Sequence, residues 1–208
     1  MTIVRKLKLL WKYRKTLRSF LSMQLSLLEK RDVAEALGGL TDEETEGVTR
    51  GVRSVPPGST IVEFGTLFGL TAQALAEAAP EGCVIVTVDN FCWNPLGLKP
   101  ALHEQFTHRI LKPYHDTGRV KLVASDSETF RKLYHENIPS MVFLDADHSF
   151  EAVRDEIAWA KAFGVSIITG HDYGNALFGV TQAVDEAFPE GVECAGMCWR
   201  AKSADKRA

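Results

Sequence analysis

Val62-Glu63-Phe64-Gly65-Thr66-Leu67-Phe68-Gly69-Leu70-Thr71 is the stretch that decides the fold. The apolar run from Thr60 to Phe64 reads as a strand, and the residues from Leu70 to Ala79 read as a helix. Between them stand two glycines four apart, which allow a tight turn and let backbone approach a ligand where a Cβ would collide. A purely structural strand-to-helix turn has the same need. The spacing is GxxxG with an acid two residues before it, and it lacks the third glycine of the turn that accommodates a pyrophosphate. Glu63 suits a cationic ligand better than an anionic one.

Outward from this turn the chain alternates strand and helix. Strand-like runs cover Cys83 to Val88, Val120 to Ala124, Met141 to Leu144 and Val165 to Thr169. Helical runs cover Pro100 to Leu111, Glu128 to His135, Phe150 to Ala162 and Val180 to Phe188. The strands at Ile61, Val84 and Met141 are nearly continuous apolar runs, as strands covered on both faces are. The expected fold class is α/β: a doubly wound, mostly parallel sheet with helices on both sides. Val192 to Ala195 and Cys198 to Ala201 are separated only by Gly196-Met197, too few residues for a crossover helix, so they should add an antiparallel C-terminal hairpin and bring the sheet to seven strands. Ahead of the first strand, Thr41 and Glu44 have capping-box spacing, and Pro56-Pro57-Gly58 stops the helix that they start near Arg53.

A length of 208 residues fits one domain, read as residues 41–208, preceded by an extension at residues 1–40. From Met1 to Arg31 nine Lys or Arg residues stand against the single acid Glu29, with Val4, Leu7, Trp11, Leu17, Leu21, Leu25 and Leu28 at roughly helical spacing. This reads as a basic amphipathic helical extension that touches an anionic membrane surface, or packs on its own domain or on a partner in a homodimer. Apolar runs are too short to span a bilayer, and the basic start lacks the continuous apolar stretch of a secretory signal. The net charge of -3 argues against a nucleic-acid partner. Cys83, Cys92, Cys194 and Cys198 show neither metal nor disulfide spacing, so reduced thiols and a cytoplasmic location are expected, with peripheral membrane contact through the extension.

In a doubly wound sheet a ligand lies at the carboxyl ends of the strands, near the point where strand order reverses. Asp89, some twenty residues past the glycine turn, is placed to accept from the hydroxyls of a ribose, or to cap the next turn. Asn90 follows it, and Trp93 in the same loop could stack on an adenine or pack under the loop. Asp126 could reach an exocyclic amine, although Ser125 and Glu128 have capping-box spacing and a helix start competes. The fourth and fifth strand ends, Asp145-Ala146-Asp147-His148 and His171-Asp172-Tyr173, concentrate ionisable groups. Two carboxylates beside an imidazole suit a hard divalent ion. Without a metal, His148 or His171 is the best general base. The other four histidines lie on helices or loops without carboxylate patterns and are read as surface residues.

Together these ends resemble class I S-adenosylmethionine-dependent methyltransferases, in the small-molecule O-methyltransferase branch that carries an Asp-x-Asp-His and a later His-Asp-Tyr segment. The resemblance covers about residues 55 to 202. It implies a Rossmann-like methyltransferase sheet and S-adenosylmethionine as cofactor, held by Glu63, Gly65, Thr66, Gly69, Asp89, Asn90, Trp93, Ser125, Asp126 and Asp145. Metal-dependent relatives of the catechol type place one ligand at the position of Asp145 and two at an Asp-Asn pair. Asp172 matches the first of that pair, and Tyr173 replaces the second. His171 could substitute, giving Asp145, His171 and Asp172 as the ligand set for Mg²⁺ or Mn²⁺. The implied activity is O-methylation of a small-molecule acceptor, a sugar or phenolic hydroxyl, with Asp145, His148 and His171 as the catalytic candidates. Two rivals are a nicotinamide-dependent oxidoreductase, which should show GxGxxG, and a non-catalytic cofactor-binding module.

Overall fold

The apolar runs sort themselves by parity. In the computed structural model, which describes residues 37–201, Ile61, Ile85, Met141 and Phe143 point to one face of a central sheet, where they pack with Val48, Val52, Leu75 and Leu111. Val62, Phe64, Val86, Val142 and Leu144 point to the other, against Phe130, Val153, Ile157 and Val184. Alternate side chains of a strand face opposite ways, so continuous apolar runs serve two cores at once. Each fully buried Val, Leu, Ile or Phe contributes about 1.5–3 kcal/mol of transfer free energy. The basic extension expected before residue 37 and the tail after Ala201 lie outside the described residues. The described residues from Leu40 to Ala201 belong to one compact unit, and no described helix is long and apolar enough to cross a membrane.

In chain order the elements are α1 (Asp42–Arg53), β1 (Thr60–Phe64), α2 (Leu70–Ala78), β2 (Val84–Asp89), α3 (Pro100–Asp116), β3 (Val120–Ala124), α4 (Ser127–Leu133), β4 (Met141–Leu144), α5 (Phe150–Phe163), β5 (Ile167–Gly170), α6 (Val180–Ala187), β6 (Val192–Ala195) and β7 (Cys198–Ala201). The sheet order is β3-β2-β1-β4-β5-β7-β6. The first five strands are parallel, and β7 runs antiparallel to both β5 and β6. The expected doubly wound sheet and C-terminal hairpin are therefore present. The reversal of strand order falls between β1 and β4.

Registers align the carboxyl ends. Phe64 stands opposite both Val88 and Leu144, and Leu144 opposite Gly170. The ladder continues one residue further: Gly65 N–H donates to the Val88 carbonyl, Asp145 N–H to that of Phe64 and His171 N–H to that of Leu144, at 2.9, 2.9 and 3.0 Å. Gly65 has φ +90°, and a Cβ there would lie 1.9 Å from the carbonyl oxygen of Asp145. This contact, at the strand-order reversal, is what lets the two loops abut.

Two sequence readings are corrected here. His103 is not a surface residue: it is fully buried, its Nε2 donating to the Leu67 carbonyl at 2.9 Å. Helix α3 also runs past Leu111 to Asp116 despite Pro113 inside it, with His115 Nδ1 fixed on the Val120 carbonyl at 2.8 Å.

Two predictions follow from packing alone. Gly65→Ala should destabilise the domain by about 3 kcal/mol or more in urea denaturation, because a left-handed backbone and a steric collision add. Gly58→Ala, at φ +75° with open space around it, should cost only about 1–2 kcal/mol; equal losses at the two positions would refute the role of the Asp145 contact. The second concerns Glu156, fully buried in α5 with no hydrogen-bond partner among the described residues on either carboxylate oxygen. Burial pushes its pKa from 4.5 to about 7, only partly offset by Ser127 and Arg131. Below pH 4.5 both folded and unfolded chains hold the proton. Between 4.5 and 7 only the folded chain does, so its contribution to stability falls as pH rises. Glu156→Gln should therefore gain on the order of 1–3 kcal/mol over the parent at pH 8 and almost nothing at pH 4.5. A gain independent of pH would contradict this.

Candidate functional site

The glycine turn is built by β2 and α3 as much as by its own residues. Glu63 and Thr87 are opposite each other in register, and the Thr87 hydroxyl donates to Glu63 Oε2. Having given its proton, that hydroxyl accepts from Thr66. Leu67 adopts φ 48°; its N–H donates to Asp89 Oδ2 at 2.7 Å, and its carbonyl accepts from His103 and, at 2.6 Å, from the Thr107 hydroxyl. A Cβ on Gly69 would meet Leu111 at 2.8 Å. Both glycines are thus required by protein packing, whether or not a ligand approaches.

Glu63 is buried, and its Oε1 has no hydrogen-bond partner among the described residues. Burial pushes its pKa to about 8, with the Asp145 and Asp89 carboxylates adding to the rise and Thr87 opposing it. Asp89 accepts from Leu67 N–H on Oδ2 and from Phe91 N–H on Oδ1, at 2.7 and 2.6 Å. Its turn-capping role is therefore present. A carboxylate offers about four acceptor positions, so each oxygen keeps one for a further donor.

The outer cofactor candidates sit differently. Asn90 is exposed and its Oδ1 caps Cys92 N–H at 2.9 Å. Trp93 is 70 % exposed. Asp126 is the N-cap of α4, taking Thr129 N–H at 2.7 Å and the Thr129 hydroxyl at 2.9 Å, and these bonds hold its carboxyl below the ordinary range. The helix start expected at Ser125 thus belongs to Asp126. The Ser125 hydroxyl turns to the Asp126 carbonyl, because the chain enters the helix one residue later than the Ser125–Glu128 spacing implies.

The second group assembles from β4 and β5. Asp172, at φ 60°, follows β5 and is buried. Its Oδ2 lies 3.2 Å from His148 Nδ1 and 3.4 Å from His171 Nδ1, and its Oδ1 accepts from Asn175 at 3.0 Å. His171 Nδ1 is also 3.6 Å from Asp145 Oδ1. His148 stacks on Phe178, ring centroids 4.5 Å apart. Phe68 and Tyr173 face elsewhere, onto His103 and Asp185.

Asp145, His148 and Asp172 each present one ligand atom within 4.8 Å of the others, a grouping able to hold a metal ion. The imidazole in that grouping is His148, where the sequence pointed to His171. His171 has both nitrogens committed to carboxylates: Nδ1 as above, and Nε2 to Glu44 Oε1 at 3.2 Å. Burial alone would lower the His171 pKa, but Asp145 and Asp172 outweigh it and push it up to about 11. Asp145 is held above the ordinary range by burial, against the pull of His171 and His148. Burial of Asp172 is outweighed by His171, Asn175 and His148, which leave it below that range.

Glu44 was missed by sequence reasoning. Its capping box with Thr41 is formed as expected, but that pattern gives no sign of the other role. The signal available was only an acid in a helix that precedes the first strand.

No protein-family model matches the chain. No curated protein is similar to it in sequence. Solved structures do share its fold. An O-methyltransferase from Bacillus cereus, in complex with S-adenosylhomocysteine, is 15% identical over 80% of this chain and 76% of its own, with a TM-score of 0.57. The O-methyltransferase TomG from Streptomyces achromogenes, in complex with S-adenosylmethionine, is 16% identical over 72% and 67%, with a TM-score of 0.55. A protein from Corynebacterium glutamicum is 11% identical over 94% and 100%, with a TM-score of 0.65. The chain shares the fold of these three structures, two of which are O-methyltransferases.

Proposed function

We propose that this protein is a methyltransferase that uses S-adenosylmethionine to methylate an oxygen of a small molecule. The observation that carries the reading is the gathering of two polar groups on one edge of the sheet. The Glu63–Asp89 turn and the Asp145–His148–His171–Asp172 cluster flank the reversal between β1 and β4, where doubly wound sheets bind ligands. The B. cereus and S. achromogenes proteins, which share the sheet, carry S-adenosylhomocysteine and S-adenosylmethionine.

The residues suit that cofactor. The unpartnered Glu63 Oε1 is a buried acceptor awaiting a donor, and a cation brought near would favour the ionised carboxylate that burial now disfavours. Asp89 keeps acceptor capacity for ribose hydroxyls. When bound, S-adenosylmethionine supplies a methyl group on a cationic sulfur. Thr66, Gly65 and Gly69 shape the turn beside it, and Asn90, Trp93, Ser125 and Asp126, which follow β2 and β3, are the residues we assign to the adenine side.

On the acceptor side, Asp145, His148 and Asp172 have the donor chemistry for Mg²⁺ or Mn²⁺, which would lower the pKa of a bound hydroxyl. Should no ion be used, His148 is the base, because its Nε2 has no partner among the described residues while both nitrogens of His171 are engaged. The base takes the acceptor proton as the oxygen–methyl bond forms and the sulfur–methyl bond breaks. Holding donor and acceptor in line supplies much of the rate. Among the described residues the ion-pair partners of Glu44, Asp145 and Asp172 are histidines alone, with no Lys or Arg beside them, so a neutral acceptor such as a sugar or phenol fits better than an anionic one. We place the protein in the cytoplasm, with residues 1–31 contacting an anionic membrane surface or a second copy of the chain.

Calorimetric titration of chelator-treated protein with S-adenosylhomocysteine, with NAD as control, tests the reading. Binding of the first alone is expected, with an added response to Mn²⁺. In Asp145→Ala the Mn²⁺ response should vanish while affinity for S-adenosylhomocysteine stays nearly unchanged. Absence of S-adenosylhomocysteine binding by the parent protein would overturn the proposal.

A further inference from the structure

Glu44 accepts more than a capping residue needs. Its Oε2 takes the backbone N–H and hydroxyl of Thr41, both at 2.9 Å, which completes the capping box. Its Oε1 takes the N–H of Met197 at 2.9 Å and faces His171 Nε2 at 3.2 Å. A capping-box glutamate on a surface helix needs only the first pair. Here the side chain is buried, with burial raising its pKa and the Thr41, Met197 and His171 donors lowering it further, so that the carboxylate is favoured. The β6–β7 turn is cut to fit it: at Gly196 a Cβ would fall 2.7 Å from Glu44 Cγ and 2.8 Å from Oε1.

A carboxylate only accepts, so each ring nitrogen that faces one carries a proton. Nε2–H therefore points to Glu44, and Nδ1–H is turned towards Asp145 Oδ1 and Asp172 Oδ2. The same arrangement recurs around metal-binding imidazoles, where a carboxylate on one ring nitrogen fixes the orientation of the other.

We propose that Glu44 is a positioning residue of the acceptor side: it holds His171 by Nε2–H, orients Nδ1 towards Asp145 and Asp172, and thereby makes α1 and the β6–β7 turn part of the site. The orienting role stands on geometry alone; its bearing on methyl transfer rests on the function proposed above. The alternative is that Glu44 only joins α1 to the hairpin.

Nuclear magnetic resonance of the full chain with isotope-labelled histidine separates the two. The folded protein should give a downfield, slowly exchanging proton on Nε2 of His171, assigned by its absence from His171→Gln. Glu44→Gln should lose that signal, since an amide cannot serve all four donors. Glu44→Asp keeps the charge but is one methylene shorter, and should also lose it; it serves where the Gln variant does not fold. Thr41→Ala, which removes the cap and spares Oε1, should keep it while lowering thermal stability. Absence of the Nε2 proton in the parent protein, or its persistence in both Glu44 variants, overturns the proposal. These signals are read without cofactor or acceptor, so failure of the methyltransferase reading would leave them unaffected.

Discussion

The contact of Gly65 with the Asp145 backbone sets the geometry on which the rest depends. A left-handed φ and the lack of a Cβ at one residue allow β1 and β4 to run their loops against each other at the reversal of strand order. From that approach it follows that the glycine turn and the acidic cluster stand side by side, as the two walls of the crevice proposed to hold the ligands. Everything nearby reinforces the placement. Asp89, His103 and Thr107 grip Leu67 from two further elements, so the turn is braced by β2 and α3 and does not rely on its own short sequence.

Electrostatics give the two sides of the crevice different characters. Near the turn, Glu63 is buried with an idle oxygen and favours its neutral form. Beyond it, the imidazole of His171 sits among Glu44, Asp145 and Asp172. Burial penalises each of these charges singly, and their mutual pairing offsets the penalty. Acidic groups on both sides, with the His171 imidazolium paired among those of the second, are what the proposed function would need for a cationic methyl donor and a neutral hydroxyl acceptor.

Most of the fold was legible because periodicity and turn residues agree. Runs such as Met141 to Leu144 are buried on both faces, and Gly196-Met197 leaves room only for a hairpin. That Asp145, His148, His171 and Asp172 would gather was legible because they follow neighbouring strands; that His148 and not His171 joins the two aspartates in the grouping was not. What was hidden depends on contacts far apart in sequence. His103 looks like a helix-surface residue until α3 folds under the Leu67 turn. Glu44 reads as a helix cap until the hairpin brings Met197 and the β5 end brings His171 to it. Asp126 and Ser125 compete for one capping role within two residues, and only the path of the chain decides between them. The basic segment of residues 1–31 carries a clear sequence pattern, and its place in the function rests on proposal alone.

The central claim is that one crevice, at the β1–β4 reversal, holds donor and acceptor together. A crystal structure with S-adenosylhomocysteine tests it most directly. The account predicts the ribose on Asp89, the amino-acid portion along the Gly65–Gly69 turn, and the sulfur facing the Asp145–His148–His171–Asp172 cluster. A homocysteine compound bound elsewhere, or with its sulfur turned away from that cluster, would contradict it.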